Sequence, residues 1–497
     1  MSLQKLQYTP LEEIEKIHTE LKNGFNSGKL KSIAYRKYQL LQLAYMIKDN
    51  GQRFEESLKA DLGRPPLESQ FFEVASCIGD IKNTYTNLDK WVKPEKPAFS
   101  LNWTPMRPII YKEPKGVCLI ISPFNYPVWL TVPVLASALA AGNAVVIKPS
   151  ESTPATSALL AELIHQYLDT SLVRVVNGAI PETTKLLELP WGHILYTGGG
   201  RVAKVVSAAA AKTLTPVSLE LGGKSPVFID SSCDLKVAAR RILWGKIANA
   251  GQTCVAPDYI LVKEDFQDTL IAAFKEAYDE FYPNGPKEPG AYSRLCTPQA
   301  FKRVNGLLQN TKGRIVLGGE VDEADKYIAP TIVADVSVED SLMSEDYPLS
   351  IYVFTKDEAF KQKVFRNTQS GSAIANETII HPAAEGLPFG GIGPSGSGYH
   401  TGKYGFDMFT HFRSSLDSPS WLEALMSFRY PPYTAKKLAT MNRTITPRLP
   451  PRPKGPPAPD ADSKSGKSWL NWFTLIVAAA FAGGFFQRER VLKAIGQ

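Results

Sequence analysis

A thiol, Cys254, stands in the string Gly251-Gln252-Thr253-Cys254-Val255-Ala256-Pro257. A carboxylate, Glu220, lies 34 positions upstream in Ser218-Leu219-Glu220-Leu221-Gly222-Gly223-Lys224-Ser225-Pro226. A thiol nucleophile with a carboxylate base is what acyl chemistry through a thioester requires. Either residue alone has a plainer reading: a free cysteine usually packs as a small apolar residue, and a glutamate at a strand end is usually a solvated charge. Asn125, in Ser122-Pro123-Phe124-Asn125-Tyr126-Pro127, is a third polar candidate, and by itself reads as a turn residue before an aromatic and a proline. Metal chemistry has no comparable signal. The five cysteines are widely spaced without a CxxC, and the six histidines have no HExxH-like spacing. An odd number of scattered cysteines fits a reducing compartment better than a disulfide framework.

The elements that must position these residues are legible from periodicity. The first ninety residues read as helices, with Ile14, Ile17, Leu21 and Phe25 on one face and Leu40, Leu43 and Ile47 on the next. Short apolar runs then alternate with helix-like stretches: Val117 to Ile121, a helix from Val128 to Ala141, Ala144 to Ile147, a helix from Ser157 to Tyr167, Val173 to Val176, a short helix, His193 to Thr197, and a helix from Val202 to Lys212. Continuous apolar strands separated by amphipathic helices imply a parallel sheet covered on both faces, a doubly wound α/β architecture of the kind that binds nucleotides. A second alternating stretch begins near Glu220 and carries Cys254. The segment from Trp91 to Tyr111, rich in Pro, Lys and aromatics, reads as an excursion from the core, a hairpin in outline. At 497 residues the chain is long enough for two or three domains.

The strings around Cys254 and Glu220 resemble the two signature segments of the aldehyde dehydrogenase superfamily. The resemblance extends over most of residues 8–430 and is closest to class 3 members, including the membrane-anchored fatty aldehyde dehydrogenases. It implies an NAD-binding domain from 8–93 and 113–219, a catalytic domain from 220–399, and oligomerisation segments at 94–112 and 400–430. In these terms Cys254 is the nucleophile, Asn125 the side chain that stabilises the oxyanion, and Glu220 the base that activates water for thioester hydrolysis. The presence of Glu220 favours release of a free carboxylic acid over transfer to phosphate or coenzyme A. Lys148 and Glu151, in Ile147-Lys148-Pro149-Ser150-Glu151-Ser152-Thr153-Pro154, resemble the pair that holds the adenosine ribose. A carboxylate there favours NAD by repelling a 2′-phosphate, with NADP possible in class 3. Gly198 and Gly199 belong to Tyr196-Thr197-Gly198-Gly199-Gly200-Arg201-Val202-Ala203, which resembles the turn near the pyrophosphate; the family commonly has Ser in place of Gly199. Phe389, in Leu387-Pro388-Phe389-Gly390-Gly391, reads either as a lining of the substrate passage or as plain core.

One family segment is missing. Members usually carry Glu-x-Phe-Gly-Pro after a Met-x-Glu lead-in, for contact with the nicotinamide and its ribose. Here Leu342-Met343-Ser344-Glu345-Asp346 begins that segment, and the chain passes directly to Tyr347-Pro348-Leu349-Ser350-Ile351-Tyr352-Val353-Phe354, which resembles a later strand. The gap is on the order of 25 residues, about one strand and one helix of a βαβ unit. Asp346 or Glu345 could stand in for the missing Glu. Two functions of different classes follow: an active oxidoreductase, or a catalytically impaired relative acting as a membrane-bound binding or scaffold protein. Retention of Asn125, Glu220 and Cys254 favours the enzyme.

The net charge of +7 is a property of the tail. Residues 431–497 hold eleven Lys/Arg against three Asp/Glu, so they carry +8 and the rest of the chain −1. A nearly neutral body without an aromatic-interleaved basic module argues against nucleic acid as a partner. The stretch 431–468 is Pro-rich and basic, a stiff linker. Trp469 to Phe486 follows as an uncharged run of 18 residues that would span roughly 27 Å as a helix, and is expected to be a C-terminal transmembrane anchor. No apolar stretch of a cleaved secretory signal opens the chain. The expectation is a cytosolic catalytic body on an endoplasmic reticulum, mitochondrial outer or peroxisomal membrane, and, from the class 3 resemblance, a homodimer. A tethered site suits medium- to long-chain aliphatic aldehydes, and an apocarotenal or similar apolar aldehyde is the alternative substrate.

Overall fold

Helices open the chain, as the apolar periodicity predicts. Leu11–Asn26 buries Ile14, Ile17 and Leu21, and Ile33–Asp49 buries Leu40, Leu43 and Ile47. Ser32 starts the second of these by accepting a hydrogen bond from the Tyr35 amide at 3.2 Å. Gly51–Leu62 follows, and then a helical run from Pro66 to Trp91 that passes through a π-helical stretch, Gln70–Ala75. The computed structural model describes residues 5–100, 102–343, 347–447, 449–453 and 455–456.

The strands among these residues are β1 (Ile109–Pro114), β2 (Val117–Ile121), β3 (Ala144–Lys148), β4 (Val173–Val175), β5 (His193–Gly198), β6 (Val217–Leu221), β7 (Ser225–Ile229), β8 (Pro257–Leu261), β9 (Arg314–Leu317), β10 (Val321–Asp322), β11 (Tyr327–Ile328), β12 (Ile332–Ala334), β13 (Ser350–Phe354), β14 (Ser372–Ala375), β15 (Gly396–Ser397) and β16 (Thr410–Ser415). The first sheet has the order β15-β6-β5-β2-β3-β4, parallel except for β15. Strands β2 and β3 are buried along their whole length, which is why they read as unbroken apolar runs. The second sheet, β14-β13-β7-β8, is parallel throughout. Small antiparallel pairs, β9 with β12 and β10 with β11, lie in the connection between β8 and β13.

The two sheets share one winding order. In the first, the five parallel strands taken in chain sequence occupy the spatial order fifth, fourth, first, second, third. In the second, β14, β13, β7 and β8 follow the same scheme with the third strand absent among the described residues. That strand would come in the chain between β8 and β13, where the family segment is missing, and would lie on the outer edge of β8. In the first sheet the equivalent unit is β4 and the helix Ile180–Leu187 that leads to β5.

Three expectations are modified. The helix read from Val128 begins at Val132; residues 128–131 are turn, and Pro133 sits in the first helical turn, where its missing N–H costs nothing. Within the Trp91 to Tyr111 excursion Glu95 bridges Ile110, but its main pairing is remote, β1 with β16 from Ile109 opposite Ser415 to Pro114 opposite Thr410. A helix, Ala435–Thr444, occupies part of the expected linker, capped by the Thr434 hydroxyl.

By internal contacts the chain divides into a unit Met1–Asp417, which holds both large sheets, and a unit Ser418–Gln497. The expected transmembrane run 469–486 and the candidate Asp346 lie outside the described residues. Among those described, no helix is long and apolar enough to cross a membrane.

Candidate active site

Cys254 sits between a one-turn helix, Ala248–Gly251, and β8. Asn249 and Ala250 have φ of 53° and 54°, and Gly251 follows at 75°, so three consecutive residues are left-handed. For a residue with a Cβ this conformation costs about 1–2 kcal/mol. Hydrogen bonds hold it. The Asn249 amide donates to Glu68 Oε2 at 3.0 Å, and its Nδ2 donates to the carbonyls of Asn125 at 2.9 Å and Gln252 at 3.1 Å. Gln252 in turn donates through Nε2 to Asn249 O at 3.1 Å and Arg294 O at 3.0 Å, and its Oε1 accepts the Cys296 amide at 2.9 Å. The loop that precedes Cys254 is therefore tied to the carbonyl of Asn125.

A second tie runs beside the first. The Tyr126 hydroxyl meets Thr253 Oγ1 at 2.6 Å, linking the residue after Asn125 to the residue before Cys254. On the other side of the thiol, the Tyr352 hydroxyl donates to Val255 O at 2.5 Å. Asn125 itself is half-buried, and its side-chain amide has no hydrogen-bond partner among the described residues. Its donors are free for an incoming oxygen.

Glu220 reaches the same place from β6, paired in parallel with Thr197 and antiparallel with Gly396. Its carboxyl is buried, and Oε2 has no partner among the described residues. Burial lifts its pKa well above the ordinary carboxylate range. Burial also pushes the Cys254 thiol up to about 12, with the neighbouring Glu220 charge adding to the rise and the amides of Cys254 and Val255 opposing it. Burial thus disfavours both the thiolate and the carboxylate, and each group can take part in acyl chemistry only once its proton is lost.

The wall around the thiol is apolar and aromatic. Ala248, Val255, Leu349, Ile379 and Phe389 form a buried cluster against which Cys254, Phe72 and Trp244 pack. Phe72 stacks on Trp244 at 5.8 Å and meets Tyr126 edge-on at 5.8 Å; Phe71, exposed, touches both Phe72 and Trp244. The π-helical stretch Gln70–Ala75 carries Phe71 and Phe72. Phe389 is core in this cluster, 5.3 Å from the His400 ring.

Of the predicted cofactor residues, Lys148, Glu151, Gly198 and Gly199 lie at the carboxyl ends of the first sheet, where ligands of open α/β sheets bind, while Asp346 lies outside the described residues. Lys148 ends β3, nearly buried, with its ammonium 2.5 Å from the exposed Glu151 carboxylate. Gly198 ends β5, and Gly199 precedes the helix Gly200–Ala211. A Cβ at Gly199 or Gly200 would meet nothing within 4 Å, so this helix N-terminus is open. An exposed carboxylate beside a buried ammonium suits ribose hydroxyls, and an open helix start suits a pyrophosphate. These residues fit a dinucleotide. Gly198 lies beside Leu221 across β5 and β6, next to Glu220.

At the break in the family pattern the chain passes close to the Glu220 strand. A Cβ on Gly223 would lie 2.5 Å from the Tyr347 carbonyl, so only glycine fits there, and Lys224 Nζ donates to the Leu342 carbonyl. The two ends of the break are therefore drawn to the turn between β6 and β7. The sequence singles out Cys254, Glu220 and Asn125 as candidates, but not Asn249, Tyr126, Phe71, Phe72 and Trp244, which the fold packs around them. Asn249 had a signal in its place just before Gly251, since Asn tolerates left-handed backbone; the aromatics had none.

Comparison with known proteins gives matching results. The model of the aldehyde dehydrogenase family matches residues 2–348 and again 344–415, two pieces that meet at the break. The rat protein named aldehyde dehydrogenase, dimeric NADP-preferring, is 41% identical over 440 residues, covering 84% of this chain and 97% of that one. Mouse aldehyde dehydrogenase family 3 member A2 is 40% identical over 444 residues, covering 84% and 91%. A Staphylococcus aureus AldH structure described as a substrate-bound state superimposes with a TM-score of 0.83 at 37% identity, covering 86% of this chain and 99% of that one.

Proposed function

This chain belongs to the aldehyde dehydrogenase family, as an NAD(P)-dependent enzyme that oxidises an aldehyde to the acid, and on that premise we propose that its substrate is a long-chain or other apolar aldehyde, processed through a Cys254 thioester that Glu220 hydrolyses. The observation that supports this reading is the double tie, through Tyr126 to Thr253 and Asn249 to Asn125, that joins the Asn125 segment to the Cys254 loop, near a buried Glu220 whose Oε2 has no partner among the described residues.

The Cys254 thiol gives its proton to solvent and its sulfur adds to the aldehyde carbon, and the oxygen takes the charge as the C=O π bond opens. The Asn125 amide and the Cys254 N–H donate to that oxygen; loss of one such donor typically raises a barrier by about 2.7–4 kcal/mol. A dinucleotide held at its ribose by Lys148 and Glu151 and at its pyrophosphate by Gly198 and Gly199 would supply the hydride acceptor that oxidation to the acyl level requires. Glu220 takes a proton from water, the hydroxide adds to the acyl carbon, and the C–S bond breaks to release the carboxylic acid. The aromatic wall of Phe71, Phe72 and Trp244 favours an apolar chain, each buried methylene contributing about 0.8 kcal/mol. An apocarotenal-type aldehyde suits the same wall.

In the remainder of this reading the enzyme is a homodimer, in keeping with the name of the rat relative, and is held at a membrane by the run 469–486. A second reading, a catalytically impaired binding or scaffold protein, draws support from the third strand that the second sheet lacks among the described residues and from the absent Glu-x-Phe-Gly-Pro segment. In the favoured reading Glu220→Gln gives one burst of reduced cofactor per site and then stalls with acyl-enzyme on Cys254, detectable by intact mass. Undiminished steady turnover in that variant would refute the role of Glu220.

A further inference from the structure

Arg64 is fully buried, one of the largest such side chains in the protein, and it lies on the loop between Gly51–Leu62 and the helical run from Pro66. Its guanidinium donates through one terminal nitrogen to Glu73 Oε1 at 2.5 Å and through the other to the main-chain carbonyl of Asn125. Its plane lies over the Tyr126 ring at 4.8 Å. Glu73, also fully buried, turns its second oxygen the other way and accepts the amides of Val128 at 3.1 Å and Trp129 at 2.6 Å. The ion pair thus grips the segment Asn125-Tyr126-Pro127 at both ends, by the carbonyl before it and the amides after it. A buried ion pair is seldom more stable than well-packed apolar residues of the same volume. Orientation of the segment is the gain that its geometry offers.

We infer that Arg64, buttressed by Glu73, is a positioning residue that acts through Asn125, fixing the backbone from which the oxyanion-donating amide projects. The Asn249 side chain donates to the same Asn125 carbonyl. The Asn125 peptide is thereby held by two donors, one from the helical opening of the chain and one from the nucleophile's own loop. Arg64 touches no reacting atom in this scheme. The inference rests on Asn125 and Cys254 acting as proposed above, but not on hydride transfer.

A double-mutant cycle tests it with a probe that needs no cofactor. In p-nitrophenyl acetate the Cys254 sulfur attacks the acyl carbon through an oxyanion, the C–O bond breaks, p-nitrophenolate leaves, and the thiol proton passes to solvent. The rate of the nitrophenolate burst is measured on the full chain for the wild type, Asn125→Ala, Arg64→Met and the double variant. Asn125→Ala is expected to slow the burst about 100- to 1000-fold. Arg64→Met should slow it at least tenfold in the wild-type background and less than twofold in the Asn125→Ala background, with Arg64→Lys intermediate. Equal losses in the two backgrounds, or no loss in folded Arg64→Met, would overturn the inference. If Arg64→Met does not fold, the same cycle is read with Arg64→Lys. A wild type that gives the burst but reduces no NAD leaves this inference standing while the dehydrogenase reading fails.

Discussion

The buried carboxyl of Glu220 has a thermodynamic consequence apart from catalysis. Its folded-state pKa is raised by burial above the unfolded value, so the folded protein binds this proton more tightly than the unfolded chain. Its contribution to stability is complete below about pH 4.3, the unfolded value, and is lost as pH rises through the folded value. Glu220→Gln carries no such loss. The melting temperature of Glu220→Gln relative to wild type should therefore rise between pH 5 and pH 8, by scanning calorimetry; an unchanged difference would mean that Glu220 is solvated. Cys254, at about 12, stays protonated across this window and leaves the comparison clean. The thiol, the carboxyl and Asn125 were legible as residues because their flanking strings are distinctive. The groups that hold them were not: Asn249 and Arg64 meet the Asn125 carbonyl across sequence separations of 124 and 61, and no local pattern records such pairings.

Periodicity read the first sheet well, since β2 and β3 are buried on both faces and announce themselves as continuous apolar runs. It placed the start of the helix after Asn125 four residues early, because Val128, Trp129 and Leu130 are apolar, yet the amides of Val128 and Trp129 are taken by Glu73 in a turn. The second sheet gave less away. Its shortfall appears only when the strand orders are compared: β8 stands at an edge where the first sheet has β4 outside β3. An edge strand leaves one row of N–H and C=O groups without a ladder. Amide hydrogen exchange should then be faster at the outward-facing amides of β8 than at those of β3, by orders of magnitude if the edge is open to water. Equal protection would mean that some other segment covers β8.

For the whole molecule, charge and hydropathy divide the chain in sequence much as contacts do in space. The body is nearly neutral and holds the site; the tail carries the +8 and the apolar run 469–486. Removal of residues 457–497 is expected to move the protein from the membrane to the soluble fraction of a lysate while turnover of a short, water-soluble aldehyde is kept. Retention in the membrane fraction after that truncation would assign the anchoring elsewhere. Composition made this division readable, whereas the effect of the missing strand on the nicotinamide half was not, because it depends on contacts with a segment that the chain does not contain. The central claim is that the thiol half of the site works with NAD or NADP despite that gap. Purified full-length protein incubated with a long-chain aldehyde and either cofactor should produce reduced cofactor, read at 340 nm, and carboxylic acid in equal amounts; folded protein that binds the cofactor and forms neither product would contradict it.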